Sequence, residues 1–423
     1  MKILYVSQYF PPEMGAPAAR AAELSRLWVN DGHDVTVLTG FPNHPTGVVP
    51  RDYRKKIRNM IHREQVNGIN VIRTWLWPLP NRCGWQRILN YTSFFVSAAA
   101  TGTFLQEFDV VIGTSPQLLV GLSAWWIARC QRVPFIFEVR DLWPESLVAV
   151  GAGNAQSILH RTLSRVAGFL YRESHRIVVV TRAFKTHLVN HWNIPPEKIL
   201  VIENGVDTRL FHPHAAGPET RDDLALQEKF VVSYIGTMGM AHGLETLLDT
   251  AFLLQSRAPQ VQFLLIGEGA EKHHLQSLAV SQNLTNIRFL DQRPRDRVPA
   301  YICASDACLV MLKKADLFKT VLPTKLLEFM SCARPVILAV DGESRRIVED
   351  ARAGIFVEPQ NPPALAGAIL HLSENPQLCN ELGTNGRHYI TRHFAREHTA
   401  SRYVELLEEI CEGKAEREAA AAA

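Results

Sequence analysis

The chain alternates short apolar runs with longer segments of helical spacing, in two separate series. Buried strands of a parallel sheet carry nearly continuous apolar residues, so each short run predicts one such strand. The first series of predicted strands lies at residues 2–7, 34–38, 71–74, 110–113, 135–139 and 177–180. The second lies at residues 230–235, 263–266, 287–290, 307–311, 336–339 and 355–357. This pattern predicts an α/β fold with two doubly wound, Rossmann-like domains.

A turn-forming cluster separates the two series. The 423 residues exceed what one core usually holds, and a Glu-Asn-Gly-Val-Asp cluster at 203–207 precedes a polar stretch. We therefore predict domains at 1–204 and 205–395. If the two domains face each other across a cleft, the carboxyl ends of both sets of strands line that cleft, which makes it the predicted active site.

The end of the chain has a helical pattern of its own. About residues 396–411, one face carries Tyr403, Leu406, Leu407 and Ile410. We expect this helix to pack back on the first domain. Residues 413–423 are charged and then all alanine, which predicts a frayed tail.

The composition argues against several classes of protein. A net charge of +3 is too small for a protein dominated by nucleic-acid binding, so we expect no nucleic-acid partner. The seven cysteines include no C-x-x-C pair and predict neither a disulfide framework nor a metal site. With no signal peptide in the N-terminal sequence, we expect a cytoplasmic protein. Residues 88–106 carry no charge and predict a buried helix, with membrane contact as the alternative.

A nucleotide-diphosphate site is predicted where Pro323-Thr324-Lys325 opens a helix. The free amides and the positive dipole end of such a helix suit phosphate oxygens, and the Lys325 ammonium adds a charge. Glu328 lies about one turn further on the same face, where its carboxylate can accept hydrogen bonds from ribose hydroxyls. An ordinary surface loop and helix is the alternative for this segment.

Two glycine-containing turns follow predicted strands of the second series. The turn at 236–243 predicts a cluster of amides facing phosphate, with the candidates Thr237, Met238, Gly239 and His242. The second turn, Gly267-Glu268-Gly269, predicts exposed backbone against which a flat base can lie.

The loops after the first-series strands carry other candidates. The first loop lacks G-x-G-x-x-G, which argues against a dinucleotide site, but its small residues Gly15 and Ala16 permit close approach of a ligand. Arg140 and Asp141 follow a predicted strand, where charged residues face either a cleft or a structural ion pair. His44 follows another strand, either as a catalyst or as a structural hydrogen-bonding residue.

Residues 51–63 form a basic segment with six Lys or Arg against one Asp. These charges, with apolar residues between them, suit anionic lipid headgroups or the pyrophosphate of a lipid carrier, and a solvated face is the alternative. The candidates for acceptor or membrane contact are Arg54, Lys55, Lys56, Arg58 and the nearby Trp85.

Taken together, these segments resemble the family 4 retaining glycosyltransferases of the GT-B fold over nearly the whole chain. The resemblance is carried by the loop after the first strand, by Phe211-His212-Pro213 after the hinge, and by the segments 236–243, 267–269 and 323–328. Two further segments are similar to bacterial enzymes of O-antigen and capsule assembly, including L-fucosamine transferases. These are Phe41-Pro42-Asn43-His44-Pro45-Thr46-Gly47 and Asp141-Leu142-Trp143-Pro144.

The resemblance implies a retaining glycosyltransferase with its nucleotide-sugar donor in the second domain and its acceptor in the first. The expected donor is a UDP-sugar, such as an N-acetylated deoxysugar. The expected acceptor is a polyprenyl-diphosphate-linked glycan of surface polysaccharide biosynthesis, with peripheral contact at the inner face of the plasma membrane. No metal cofactor is expected.

By analogy with the family, Lys325 and the amides near Met238 and Gly239 take the diphosphate and Glu328 takes the ribose. Glu268 and Gly269 are expected to border the base. The remaining donor-binding candidates are Gly15, Ala16, Thr237, His242 and Thr324. The candidates that orient the acceptor or move its proton are Asp141, Arg140 and His44.

The chain departs from the family pattern in three respects. It has Thr237 and His242 where the family has basic residues, Thr320 where the family has a first glutamate, and Arg140 where the family has a histidine. Phosphate charge is therefore expected to be met mainly by Lys325 and backbone amides, with an unspecified arginine as a further candidate. A nucleotide-sugar 2-epimerase of the same fold and a non-catalytic scaffold subunit are the alternative functions.

Overall fold

The computed structural model describes residues 1–44, 46–80, 84–149 and 156–422. The chain forms two compact units. The N-terminal unit comprises Met1–Glu203 and Glu397–Ala423, and the C-terminal unit comprises Asn204–Arg396.

The N-terminal unit contains an eight-stranded sheet with the order β3-β4-β2-β1-β5-β6-β7-β8. Its strands are β1 Lys2–Val6, β2 Asp34–Gly40, β3 Ile61–Val66, β4 Ile69–Thr74, β5 Val110–Thr114, β6 Phe135–Val139, β7 Arg176–Val179 and β8 Ile199–Val201. Only β3 runs antiparallel to its neighbour among the described strand pairs of this sheet. The sheet order reverses between β1 and β5, which is where such sheets bind ligands.

The described helices of the N-terminal unit, apart from short 3₁₀ turns, are α1 Ala16–Asn30, α2 Gly84–Thr103, α3 Leu118–Gln131, α4 Glu145–Ala149, α5 Ile158–Glu173 and α6 Arg182–Trp192. The 3₁₀ turns lie at Arg51–Tyr53, Lys56–Asn59 and Pro196–Lys198. The first two belong to the basic segment 51–63, whose last residues enter β3.

The C-terminal unit contains a six-stranded, all-parallel sheet with the order β11-β10-β9-β12-β13-β14. Its strands are β9 Phe230–Ile235, β10 Val261–Ile266, β11 Ile287–Leu290, β12 Ala307–Met311, β13 Val336–Ala339 and β14 Gly354–Phe356. The helices are α7 Gly217–Asp223, α8 Glu245–Gln255, α9 Lys272–Ser281, α10 Val298–Cys303, α11 Thr324–Ser331, α12 Glu343–Ala351, α13 Pro362–Ser373 and α14 Pro376–His393. Two 3₁₀ turns lie at Met240–His242 and Asp316–Thr320.

The fold-class prediction of two Rossmann-like α/β domains with parallel sheets is confirmed. Every predicted strand is present, with ends that shift by at most a few residues. Two strands were missed. β3 is an edge strand whose half-exposed Ile-His-Arg-Glu-Gln-Val sequence lacks an apolar run, and β8 is only three residues long.

The last helix, α15 Arg396–Ala422, packs on the core of the N-terminal unit. Trp28 of α1 is fully buried there, with its ring centroid 5.9 Å from that of Tyr5 and 5.2 Å from that of Tyr403. Burying such aromatic side chains stabilises the unit by several kcal/mol, on the order of 2–3 kcal/mol for each ring. The backbone is helical to Ala422, and the tail predicted for 413–423 stays a prediction.

Helix α2 differs from the predicted buried helix. Only Asn90, Phe94, Ala98 and Gly102 are buried, about one residue per turn. The opposite face is exposed although it carries no charge, with Trp85, Ile88, Leu89 and Val96 at its surface and Phe104 just beyond its end. The uncharged sequence therefore reflects an exposed apolar face. No helix in the part of the chain that the structure describes is long and apolar enough to span a membrane.

Candidate functional site

Lys325 is the central charge of the predicted donor site. Helix α11 begins at Thr324, and Lys325 places its Nζ atom 3.8 Å from the centroid of the Tyr234 ring, at the end of β9. No described residue offers this buried Nζ atom a hydrogen-bond partner. Burial lowers the pKa of Lys325 to about 7, although the Glu328 carboxylate opposes the shift. An ammonium without a partner is the group that a phosphate would satisfy.

Gly236 explains how Lys325 approaches the backbone so closely. A Cβ atom at Gly236 would lie 2.8 Å from Lys325 Nζ and 3.0 Å from its Cε, and the φ of Gly236 is +140°. The positive φ is what favours glycine here, whereas the contact involves only the flexible end of the Lys325 side chain. The first glycine of the turn makes room for the lysine.

The amides of the 236–243 turn are only partly free. The Met238 amide donates to the Glu268 carbonyl at 2.9 Å, and the Gly239 amide donates to His242 Nδ1 at 3.3 Å. The Thr237 amide donates to no described residue. Among the four candidates, Thr237 thus offers a free amide, and the Gly239 amide must give up its 3.3 Å bond to His242 before it can donate to phosphate.

His242 is neutral in this structure. Burial, with the Lys325 charge nearby, lowers the pKa of His242 to about 3. The residue thus supplies no positive charge at neutral pH.

The glycines of Gly267-Glu268-Gly269 have a packing cause that the sequence did not reveal, and the predicted contact with a flat base stays a prediction. A Cβ atom at Gly267 would lie 2.0 Å from the Gly236 carbonyl oxygen, and one at Gly269 would lie 2.1 Å from the Met238 carbonyl oxygen. The two turns therefore press against each other, and glycine permits this contact between backbones. Glu268 is engaged by Lys272, with Nζ 2.6 Å from Glu268 Oε1 and 2.6 Å from Asp291 Oδ1.

Glu328 is held by an arginine that the sequence reasoning did not single out. Arg295 Nη1 donates to Glu328 Oε1 at 2.9 Å, and the guanidinium carbon of Arg295 lies 4.9 Å from the centroid of the Phe211 ring. Arg295 follows β11 in a loop without a recognisable motif, so no local pattern could have identified it.

These groups come together at the carboxyl edge of the second sheet. β9 and β12 are neighbours at the point where the strand order reverses, and the helix α11 follows β12 in the chain. The turn after β9, the turn after β10 and the start of α11 meet there, as the prediction of a nucleotide site requires. Gly15 and Ala16 belong to the other unit, at the start of α1.

The N-terminal unit has a buried charge network at the end of β6. Glu138 accepts from Arg20 Nη2 at 2.7 Å, from Tyr5 Oη at 2.7 Å and from Thr114 Oγ1 at 2.7 Å. Arg140 donates from Nε to the Ser115 carbonyl at 2.9 Å and lies 3.8 Å from Glu138. The Arg140 guanidinium is therefore engaged in holding the loops after β5 and β6, which favours the structural alternative for this candidate.

Asp141 has properties suited to proton transfer. Trp143 Nε1 donates to its Oδ2 atom at 3.1 Å, and burial raises the pKa of Asp141 to about 6. A carboxyl group that titrates near neutrality can both accept and release a proton, as a general base must.

His44 is joined to the first loop by Glu13, which sequence reasoning missed. Glu13 Oε1 accepts from the amides of Asn43 and His44, at 2.9 Å in each case, and the Tyr9 and His44 rings have centroids 4.8 Å apart. Burial lowers the pKa of His44 to about 4 and raises that of Glu13 to about 7. His44 is therefore neutral at neutral pH. Pro45, which belongs to the same predicted segment, lies outside the described residues.

The basic candidates of the segment 51–63 differ in how free their charges are to bind a ligand or a membrane. Lys55 and Arg58 are exposed. Lys56 lies 4.8 Å from the centroid of the Tyr53 ring and 3.9 Å from Glu64, and Arg54 donates to the Val49 carbonyl at 3.2 Å. Trp85 is 59% exposed on the outer face of α2.

The predicted absence of a metal cofactor stays a prediction. In the described ranges, no group of three or more His, Cys, Asp or Glu side chains is placed to hold a metal ion.

Comparison with known proteins identifies the family. The model of the glycosyl transferase 4-like domain matches residues 15–205, and that of glycosyl transferases group 1 matches residues 218–389. The chain is 24% identical over 292 residues to a probable glycosyltransferase WbjE of Pseudomonas aeruginosa, covering 67% of this chain and 70% of that protein. It is 22% identical over 417 residues to a putative colanic acid biosynthesis glycosyl transferase WcaI of Escherichia coli K12, covering 96% and 99%.

Solved structures show the same fold. Sucrose-phosphate synthase from Thermosynechococcus elongatus superposes with a TM-score of 0.76 at 20% identity, covering 97% of this chain and 98% of that one. Anabaena Alr3699/HepE, in complex with UDP-glucose, superposes with a TM-score of 0.73 at 18% identity, covering 97% and 100%. With two family models that together span most of its length, the chain belongs to the group 1 glycosyltransferases with a glycosyl transferase 4-like N-terminal domain, and it is a transferase of the GT-B fold.

Proposed function

We propose that this glycosyltransferase moves a sugar from a UDP-sugar to a lipid-linked glycan, with retention of anomeric configuration, in the assembly of a bacterial surface polysaccharide. The observation that carries the proposal is the buried Lys325 ammonium, which has no described partner and lies where the strand order of the second sheet reverses. A diphosphate supplies the missing counter-charge. The HepE complexes with UDP and UDP-glucose support a uridine nucleotide, and the WcaI name supports a polysaccharide product.

The chemistry follows from the groups at the two sheet edges. As the diphosphate leaves, negative charge develops on its oxygens, and a preorganised ammonium at Lys325 stabilises that charge. Asp141 and His44 are the proposed groups that orient the acceptor hydroxyl or take its proton. The finer proposal is an N-acetylated deoxysugar donor, of the L-fucosamine type, and an O-antigen or capsule product with a polyprenyl-diphosphate carrier. It is supported by the segments at 41–47 and 141–144.

The first test is a calorimetric titration of the purified protein with UDP, GDP, ADP and TDP. We expect UDP to bind most tightly. Incubation with UDP-sugars and no acceptor should then release UDP slowly and produce no epimer. If none of the nucleotides binds, the donor assignment is wrong, and an epimeric UDP-sugar product would replace the transferase with an epimerase.

We further propose that the N-terminal unit contacts an anionic membrane through one continuous docking surface. This surface consists of the outer face of α2, Trp77, Met60, Lys55 and Arg58. Its parts are joined because the Trp75 amide donates to the Met60 carbonyl at 2.8 Å and the Trp77 amide donates to Ser93 Oγ of α2 at 2.8 Å. Trp77 is 51% exposed and Met60 is 52% exposed. An exposed apolar face beside basic residues is the pattern that binds an interfacial bilayer surface.

Vesicle sedimentation tests the docking surface. Replacing Ile88 and Val96 with serine should weaken binding to vesicles of phosphatidylcholine and phosphatidylglycerol by about tenfold or more, because apolar area leaves the bilayer. Replacing Lys55 and Arg58 with alanine should weaken it by about 30-fold at low salt, since each charge contributes roughly 1 kcal/mol. The matched control is Val280→Ser on α9, which is 77% exposed and lies in the other unit. Equal binding by all variants, or a dimer that these substitutions dissociate, would refute membrane docking.

A further inference from the structure

Arg295 and Glu328 form an ion pair in the predicted nucleotide site. Arg295 Nη1 donates to Glu328 Oε1 at 2.9 Å. The Glu328 side chain is 12% exposed and that of Arg295 is 30% exposed, so the pair is shielded yet reachable. A hydrogen bond between charged groups in a partly dry site is short and directional, and therefore fixes the plane of the carboxylate.

Arg295 is itself held in place by contacts with the Phe211 ring. Its guanidinium lies over the Phe211 ring, which is fully buried. The Phe211 carbonyl accepts from Ser331 Oγ at 2.6 Å and from Arg387 Nη1 at 2.9 Å. Since Ser331 and Glu328 both lie on α11, the aromatic support and the carboxylate are tied to the same helix.

The second carboxylate oxygen is left open. No described residue donates a hydrogen bond to Glu328 Oε2, whereas Oε1 is taken by the arginine. A carboxylate oxygen accepts hydrogen bonds only, so the matching group on a ligand is a hydroxyl or an N–H donor. On a nucleotide diphosphate bound by Lys325, three residues earlier on α11, the ribose carries such hydroxyls.

We propose that Arg295 is a positioning residue for the donor: by holding Glu328 Oε1, it presents Oε2 to a ribose hydroxyl and thereby makes the enzyme select ribonucleotides. This inference rests on the proposed donor site. In this role, Arg295 affects only the binding of ligands that carry the ribose hydroxyl. A purely structural role or a direct contact with phosphate would affect UDP and its deoxy analogues equally.

The test uses UDP, 2′-deoxy-UDP and 3′-deoxy-UDP in calorimetric titrations. The native protein should prefer UDP over at least one deoxy analogue by about tenfold, the size expected for one hydrogen bond to a charged group. Glu328→Gln and Arg295→Met should each reduce this preference to about threefold or less. The double variant should bind no worse than Glu328→Gln alone, because the two residues act through one contact.

Two further variants make the result decisive. Arg293→Met is the matched control, since Arg293 lies in the same loop with its guanidinium carbon 5.5 Å from the centroid of the Tyr301 ring, and this variant should keep the full preference. Arg295→Lys keeps the charge and should keep part of the preference for UDP. This variant also tests the proposal if Arg295→Met does not fold. If Arg295→Met weakens UDP and both deoxy analogues equally, the positioning role is overturned. If the native protein binds no UDP, the donor assignment has failed instead.

Discussion

Replacing Lys325 with methionine should raise the thermal stability of the ligand-free protein and at the same time weaken nucleotide binding. Methionine keeps the apolar stem of the side chain and removes a buried ammonium that has no described hydrogen-bond partner. Burying an unpaired ion costs several kcal/mol, whereas the contact of Lys325 with the Tyr234 ring returns about 0.5–2 kcal/mol. Desolvation is the larger effect, so we expect a gain of roughly 1–4 kcal/mol in unfolding free energy.

The same substitution should weaken nucleotide binding although it stabilises the ligand-free protein. A charge-assisted hydrogen bond to phosphate contributes about 1.5–3 kcal/mol, so the Kd for UDP should rise about 10- to 100-fold in Lys325→Met. Transfer should fall further, by about 10²–10³ in kcat, because the charge on the leaving diphosphate grows in the transition state. Calorimetry, thermal unfolding and a transfer assay measure the three effects separately.

The pH dependence of Lys325 gives an independent check. Its pKa of about 7 lies below the ordinary value of 10.5, so between these values the folded ligand-free protein holds fewer protons than the unfolded chain. This group therefore makes stability rise with pH across that window. Diphosphate binding favours the ammonium and raises its pKa, so UDP affinity should fall as pH rises above 7. Both trends should be absent in Lys325→Met.

A matched control separates charge from position. Lys229 lies in the same unit, and its Nζ atom donates to the Pro259 carbonyl at 2.9 Å. Lys229→Met should leave UDP affinity unchanged. If Lys325→Met kept the affinity of the native protein, or lost stability instead of gaining it, the interpretation of Lys325 as an unsatisfied phosphate ligand would be wrong.

The sequence predicted the two sheets well because most of their strands are buried on both faces. Such strands are apolar throughout, as in β9 and β13, and this pattern does not depend on distant contacts. β3 escaped prediction because it is a half-exposed edge strand with polar residues. Helix α2 was predicted to be buried because its sequence carries no charge from residue 88 onward. The absence of charge does not show that one face of the helix has no protein partner and is exposed.

The site was predictable to the extent that it is local. Lys325 and Glu328 lie in one helix, where spacing places them on the same side. Arg295 was not predictable, because its role arises from a contact with Glu328 that is 33 positions away in the chain. The glycines of the 267–269 turn were recognised as special, but the cause is the backbone of a neighbouring turn, which only the folded chain brings close.

Replacing Glu138 with glutamine should destabilise the N-terminal unit by about 3–5 kcal/mol. Glu138 is fully buried and compensates Arg20, which is 2% exposed, and Arg140. Removing one partner of a buried ion pair leaves the other charge without compensation, and the amide also turns a donor toward groups that donate. Urea unfolding of Glu138→Gln, Arg20→Met and the double variant measures the effect. The double variant should lose less stability than the sum of the single variants.

Acid titration tests the same network with a defined sign. The Arg20 and Arg140 charges, against the effect of burial, lower the pKa of Glu138 to about 2 from an ordinary value of 4.5. The folded state therefore binds fewer protons than the unfolded chain in this range. The stability that Glu138 contributes is complete above pH 4.5 and is lost as pH falls from 4.5 to 2. Glu138→Gln should show a shallower loss over this window, whereas a slope equal to that of the native protein would mean that Glu138 is not the ionised centre of the network.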